Sequence, residues 1–318
     1  MIQASGVEAS HRGASAWVPM DPAAWDDTLA GGLTRLAQPL REAITRDGLT
    51  GRRVEVHYDG PDAVVEMLTL PLPAPEAKAA GSLRVREALG SGIPAYISIG
   101  LVPTPGESDH ESTTLLMAAD RITTTEAFAR AVREAGALPE RMIPLRAVIL
   151  RDAIATTLAL PKAKTAAVVW IDRLSTAMAG GTDGHCRFAR PLSAGCDLLV
   201  DAFRRAAREV GGCDYPQASQ MLFRVGIPRR DQTVDETLGL RGDRVIPLIQ
   251  PALQRLAIEI KQTLRFGLPE GEASRVIVTL AGPGSQIPGL DETLGGMIET
   301  PAQNADPALA SAHARARA

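Results

Sequence analysis

Residues 276–280, Val-Ile-Val-Thr-Leu, form an apolar run that gives way at once to Ala281-Gly282-Pro283-Gly284-Ser285, then to Ile287-Pro288-Gly289-Leu290 and a short helical stretch ending at Met297. A continuous apolar run of this length predicts a buried strand, and a buried strand passing through glycines into a helix is the joint of a layered α/β fold. Gly282, Gly284 and Gly289 lack the Cβ that blocks close approach, so the loop can either bring backbone amides to a nucleotide or make a tight turn. It does not carry the G-x-x-x-x-G-K-[ST] phosphate loop. Ser285 is no hydrolase nucleophile either, because the surrounding Pro283-Gly284-Ser285-Gln286-Ile287 lacks the G-x-S-x-G elbow.

The rest of the chain alternates strand and helix patterns. Leu29, Leu33, Leu36, Leu40 and Ile44 recur at spacings of three and four and predict a helix over residues 26–46. Residues 53–58 and 63–70 read as strands about the Asp59-Gly60-Pro61 turn, followed by a helix over 76–89 and strands over 95–102 and 113–119. A helix over 123–135 ends at Gly136, and 142–149 reads as the next strand. Residues 154–158 read as helical, 161–164 as a hinge, and 166–171 as a buried strand that opens a second domain. Strands over 175–179 and 185–189 join through Gly180-Gly181-Thr182-Asp183-Gly184 in an antiparallel meander. Helices are expected over 198–210 and 217–223, and 228–244 is too polar and broken to assign. Leu248, Ile249, Leu253, Leu256, Ile260 and Leu264 mark the longest amphipathic helix, over 245–266. Residues 302–318 are Ala-rich, without a strong apolar face, and read as a tail.

With 318 residues, 45% of them hydrophobic and 22% charged, the chain has the balance of a globular protein of about two domains. A formal net charge of −3 supplies no basic field for nucleic acid, and the longest apolar run is far too short to span a bilayer. No signal-peptide core precedes the first helix. Cys186, Cys196 and Cys213 are odd in number and contain no C-x-x-C pair, which fits reduced thiols in a cytoplasmic protein. Their spacing, with His185, matches no metal-ligand pattern. Arg204, Arg205, Arg208 and Glu209 read as a solvated helix face.

Several segments resemble the PilM family of type IV pilus assembly proteins, within the actin, Hsp70, FtsA and sugar-kinase superfamily. Residues 276–290, VIVTLAGPGSQIPGL, are similar to its adenosine-contacting motif, with Ala281 standing for the first glycine. Residues 253–266, LQRLAIEIKQTLRF, resemble its long helix with a Glu-Ile pair, here Glu259 and Ile260. In 188–199, FARPLSAGCDLL, Arg190 and Gly195 hold the family's arginine and glycine places. The order of elements around 67–71 and 122–137 follows the family's inserted small domain, so the resemblance covers about 54–298.

This resemblance implies an α/β, actin-like ATPase (ribonuclease H-like) two-domain fold with an inserted small α+β (SHS2-like) subdomain. The expected parts are a first subdomain over 1–60, truncated at its N-terminus, the insert over 61–150, a second domain over 151–300, and a disordered tail over 301–318. The implied cofactor-binding residues are Gly282, Gly284, Ser285, Gly289 and Asp172, with no catalytic residue and no protein-held metal site.

Two departures point to a degenerate member. Where the family has a carboxylate and a glycine in its second phosphate hairpin, this chain has Trp170 and Asp172. A bulky indole and an extra anion both oppose a phosphate, unless Asp172 replaces the missing metal-associated carboxylate. The first phosphate hairpin is expected to be lost, since residues 1–18 show no Asp-x-Gly and no strand-turn-strand pattern, and Gly13-Ala14-Ser15 reads as a linker.

The expectation is therefore a pseudo-ATPase: a non-catalytic cytoplasmic scaffold of a type IV pilus or type II secretion assembly platform, with either no cofactor or ATP and magnesium. By resemblance it binds the N-terminal peptide of a PilN-like inner-membrane protein between the first subdomain and the insert, lying peripheral to the inner membrane through partners. No nucleic acid and no direct membrane insertion are expected, and homo-oligomers are compatible. Residues 68–72 and 95–99 fall in the peptide region but also read as ordinary sheet core. The alternative is an active actin-like ATPase or sugar-kinase-like phosphotransferase using Asp172 and the Gly282 loop. An FtsA-type membrane-anchored filament is disfavoured, because 306–318 lacks a bulky apolar face.

Overall fold

The computed structural model describes residues 6–11, 14–19, 29–60, 62–103, 112–160, 165–173, 175–269, 271–272 and 275–305. The described residues divide into two compact units, one within residues 1–151 and the other within residues 152–310.

The first unit contains two sheets. Strands β1 (Gly6–His11), β2 (Ala14–Pro19), β3 (Arg53–Tyr58) and β7 (Leu138–Pro144) form one, in the order β2-β1-β3-β7, with β3 and β7 parallel. Helix α1 (Leu29–Arg46) and helix α3 (Ile122–Glu134) supply its apolar cover. Leu36, Leu40 and Ile44 of α1 are buried with Val54, Val56 and Tyr58 of β3 and Phe128 and Val132 of α3, so the three-and-four spacing does mark the core stripe. The rings of Tyr58 and Phe128 lie 4.9 Å apart, centroid to centroid.

The second sheet is the insert. Strands β4 (Val64–Leu70), β5 (Ala95–Leu101) and β6 (Thr113–Arg121) pair antiparallel in the order β4-β6-β5. Helix α2 (Ala74–Leu89) covers one face through Ala77 and Val85, which meet Leu115, Met117 and Ala119.

Helix α4 (Leu145–Ala159) begins in the first unit and ends in the second. The second unit is built on a five-stranded sheet in the order β10-β9-β8-β13-β14. Strands β8 (Ala166–Ile171), β9 (Thr176–Thr182) and β10 (His185–Leu192) make the expected antiparallel meander. Strand β13 (Ile277–Ala281) runs parallel to β8, and β14 (Ala302–Asn304) parallel to β13. A two-stranded ribbon, β11 (Thr233–Asp235) and β12 (Leu240–Arg241), occupies the polar stretch.

Helices α5 (Cys196–Arg208), α6 (Tyr215–Val225), α7 (Gly242–Gly267) and α8 (Leu290–Ile298) bury their apolar faces in one core with Ala167, Val169, Ile171 and Val278. The alternate residues of β8, Val168 and Trp170, are also buried, as expected of a strand covered on both faces.

Three expectations fail. Residues 6–11 and 14–19 do form a pair of antiparallel strands, with Ala9 opposite both Ala16 and Val56. The local hydrophobic pattern is weak there, and the edge of β3 supplies backbone partners. The run 142–149 divides at Pro144: β7 ends, and α4 starts at Leu145. Its Val148, Ile149, Leu150, Ala153 and Ile154 are all buried, and a helix apolar all round is indistinguishable by period from a buried strand. Residues 302–304 form a strand rather than the start of a disordered tail, held by Ala305 N–H donating to the Leu280 carbonyl at 2.8 Å. The N-terminal Gly13 and residues 306–318 lie outside the described residues.

Candidate functional site

The carboxyl ends of β8 and β13 lie side by side, with Trp170 in register with Ala281. In parallel α/β sheets this is where ligands bind, because loops there diverge and helix N-termini point toward the gap. Three pieces of chain converge here: the glycine loop after β13, the turn Asp172–Ser175 after β8, and the start of α5.

Gly282 has φ +79° and ψ −179°, a conformation open essentially to glycine alone. A Cβ there would come within 2.6 Å of the Ile171 carbonyl oxygen and 2.9 Å of Trp170 Nε1. At Gly284 it would collide with the Ile171 side chain and lie 2.8 Å from Cys196 Sγ. The close approach permitted by both glycines is thus used by the chain itself. Ser285 Oγ donates to the Gly282 carbonyl at 2.8 Å, within the 3-10 turn Pro283–Gln286. Gly289 stands apart as the N-cap of α8, at φ +72°, with open space where a Cβ would be.

Asp172 joins the turn to α5. Its N–H donates to the Ser175 carbonyl at 3.0 Å, and its own carbonyl accepts from Cys196 N–H at 3.0 Å. The Arg173 carbonyl accepts from Asp197 N–H at 2.8 Å. Amides at a helix N-terminus are natural anion donors, but these two point at main-chain carbonyls. The Asp172 carboxylate accepts from Arg173 N–H at 2.6 Å. Asp197, in the first turn of α5, accepts from the Tyr215 hydroxyl. Burial pushes its carboxyl up to about 6, the Tyr215 bond and Arg173 oppose that shift, and the Asp172 charge adds to it. This corner of the sheet is therefore rich in carboxylate.

Other residues named by the resemblance lie on neighbouring elements of the second unit. Glu259 of α7 accepts from Ser193 N–H at 2.7 Å and from the Ser193 hydroxyl, tying the turn after β10 to α7. Gly195 is the N-cap of α5, and Arg190 is an exposed residue of β10. Burial raises the thiols of all three cysteines, that of Cys186 to about 12, so they are poor nucleophiles at neutral pH. In the insert, Leu68, Leu70, Leu72, Ile97 and Ile99 pack on the small core.

Sequence reading missed a second acidic feature. Asp59, after β3, and Asp120, at the end of β6, are 3% and 1% exposed, where the chain crosses between the two sheets of the first unit. Burial is the main cause pushing both carboxyls up to about 6. Arg146 Nε lies 3.3 Å from Asp59 Oδ1, and a Cβ on Gly60 would overlap the Asp120 carboxylate. An Asp-Gly pair after a strand signals a turn, and nothing in it signals burial.

These units define the fold class: a two-domain α/β fold of the actin-like ATPase, ribonuclease H-like type. The structure is similar to a chain of a PilM-PilN type IV pilus biogenesis complex, with a TM-score of 0.66 at 19% identity, over 97% of this chain and 87% of that one. A weaker likeness links it to MreB 5 of Spiroplasma citri bound to AMPPNP, with a TM-score of 0.45 at 14% identity, over 62% of this chain and 64% of that one. No protein-family model matches the sequence, and no curated protein is similar to it. Among the described residues no helix is long and apolar enough to cross a membrane.

Proposed function

We propose that this chain is a non-catalytic, cytoplasmic scaffold of a type IV pilus or type II secretion assembly platform, and that it binds the N-terminal peptide of a PilN-like inner-membrane protein. The observation that carries this reading is the occupied glycine loop: Trp170, Ile171 and Cys196 use the space left by Gly282 and Gly284. A nucleotide needs that space for its own close approach, and its phosphates need amides that here donate to Asp172 and Arg173. Asp172 and Asp197 add negative charge where phosphate charge must be neutralised. The similarity to a chain solved with PilN supports a partner-binding use of the fold.

Calorimetric titration with Mg-ATP, an ATPase assay, and anisotropy with a labelled N-terminal peptide of a PilN-like protein test the reading together. Peptide binding with no ATP heat and no turnover is the expected result. ATP turnover that is lost in Gly282→Asp would replace it with the alternative, an active actin-like ATPase or sugar-kinase-like phosphotransferase in which Asp172 serves as the metal-associated carboxylate.

A further inference from the structure

The outer face of α7 is unlike an ordinary solvated helix face. Its inner face follows the usual rule, with Val245, Ile249, Leu253, Leu256, Ile260 and Leu264 all buried against the sheet core. At about 100° per residue, Pro247, Pro251 and Ile258 fall within about 40° of one another on the opposite strip, and Leu248, half-buried, and Phe266 lie about 60° further round. Ile258 is 55% exposed and Phe266 80% exposed.

Prolines inside a helix cost about 3 kcal/mol each, because each removes an N–H and crowds the preceding turn. Pro247 and Pro251 incur that cost on the exposed side, where their rings pack into no core. With Leu198 of α5 they wall an apolar groove of about 280 Å³ between α5 and α7.

Basic residues predominate on the strip. It carries Arg244, Arg255 and Arg265, with Glu259 and Asp243 only at its margins, in a chain whose net charge is −3. Across the groove, Asp201 of α5 is shared between Arg204 at 2.9 Å and Arg205 at 3.2 Å. Glu209 and Glu259 reach Arg244 and Arg255, at 3.3 and 3.4 Å with exposed arginine heads, and Arg265 lies over the Phe266 ring. The Arg244–Glu209 pair is exposed on both sides and weak, and Glu259 keeps its bonds to Ser193 if the exposed Arg255 head turns to an incoming carboxylate. Two copies of the same face would oppose arginine to arginine.

We propose that this face docks an amphipathic helix of a partner protein, one whose apolar row fills the groove and covers Ile258 and Phe266 and whose flanks carry glutamate or aspartate. The strip from Pro247 to Phe266 is about 28 Å long, which is the length of a helix of roughly 20 residues. The strip shares no residue with the glycine loop or the insert, so its use does not depend on the function proposed above.

The test uses the full chain and two labelled 20-residue helical peptides with leucine at alternating third and fourth positions, one with glutamate elsewhere and one with lysine. Anisotropy should show the glutamate peptide bound at least tenfold more tightly, with affinity falling as salt rises. Arg255→Glu with Arg265→Glu, both at exposed positions, should reverse the preference, and Ile258→Asp should weaken both peptides. Equal binding of the two peptides, or binding of neither, would overturn the proposal. So would a dimer in sedimentation that Ile258→Asp dissolves, since the face would then serve a second copy of this chain.

Discussion

Gly282 shows how one residue can be read correctly for shape and still be open for purpose. Its positive φ is what the loop requires, and the space beside it is taken by Trp170 and Ile171. Gly282→Ala should cost about 1–3 kcal/mol through backbone strain and the clash with the Ile171 carbonyl, seen as a lower denaturation midpoint with an unchanged m-value. Trp170→Ala should lower stability by about 3 kcal/mol, since the indole is almost fully buried. If the indole is also what bars nucleotide, that variant should gain measurable Mg-ATP heat where the parent has none. Gly289, with open space around it, should tolerate Asn, which adopts the left-handed conformation readily, far better than Gly282 does.

At the scale of elements, helices are legible wherever one face is apolar. The stripes of α1 and α7 mark their extents to within a few residues, because three-and-four spacing has no other use. Helix α6 is legible as a short apolar stretch, and the structure adds its start signal, a capping box in which Asp214 and Gln217 each accept from the other's backbone N–H. Asp214→Ala should therefore destabilise the second unit by about 1 kcal/mol, measurable by chemical denaturation. The elements that local pattern does not show are those whose reason lies elsewhere in the chain. Strand β14 is three residues long and polar, and it is ordered because the edge of β13 offers it main-chain partners. The strand pair β1-β2 depends on β3 in the same way.

For the molecule as a whole, three buried or half-buried carboxyls, Asp59, Asp120 and Asp197, are raised to about 6 from an ordinary value near 4. The folded chain then takes up protons before the unfolded chain does. Folding is favoured as pH falls through 6 toward 4, and the penalty of ionising these groups is fully present above pH 7. Glu55, lowered mainly by its bond to His57, acts in the opposite sense but is a single group. The denaturation midpoint should accordingly rise between pH 7.5 and pH 5.5. Asp120→Asn should flatten that dependence and raise stability at pH 7.5 by about 1–2 kcal/mol, because a tenfold change in a group's acid dissociation constant is worth about 1.4 kcal/mol. A pH-independent midpoint in the parent chain would show that these carboxyls stay solvated.

Local pattern in the chain suffices for the alternation of strands and helices, the meander, the long amphipathic helix and the glycine joint, since each is written in a short period or in a residue with its own conformational role. It also puts Trp170 and Asp172 at the carboxyl end of a buried strand. What fills the glycine loop, which carboxyls lose their water, and which short polar segments become strands are settled by tertiary contact alone. Those outcomes depend on groups far apart in the chain meeting across a sheet or a core, and no local pattern records which partner will arrive.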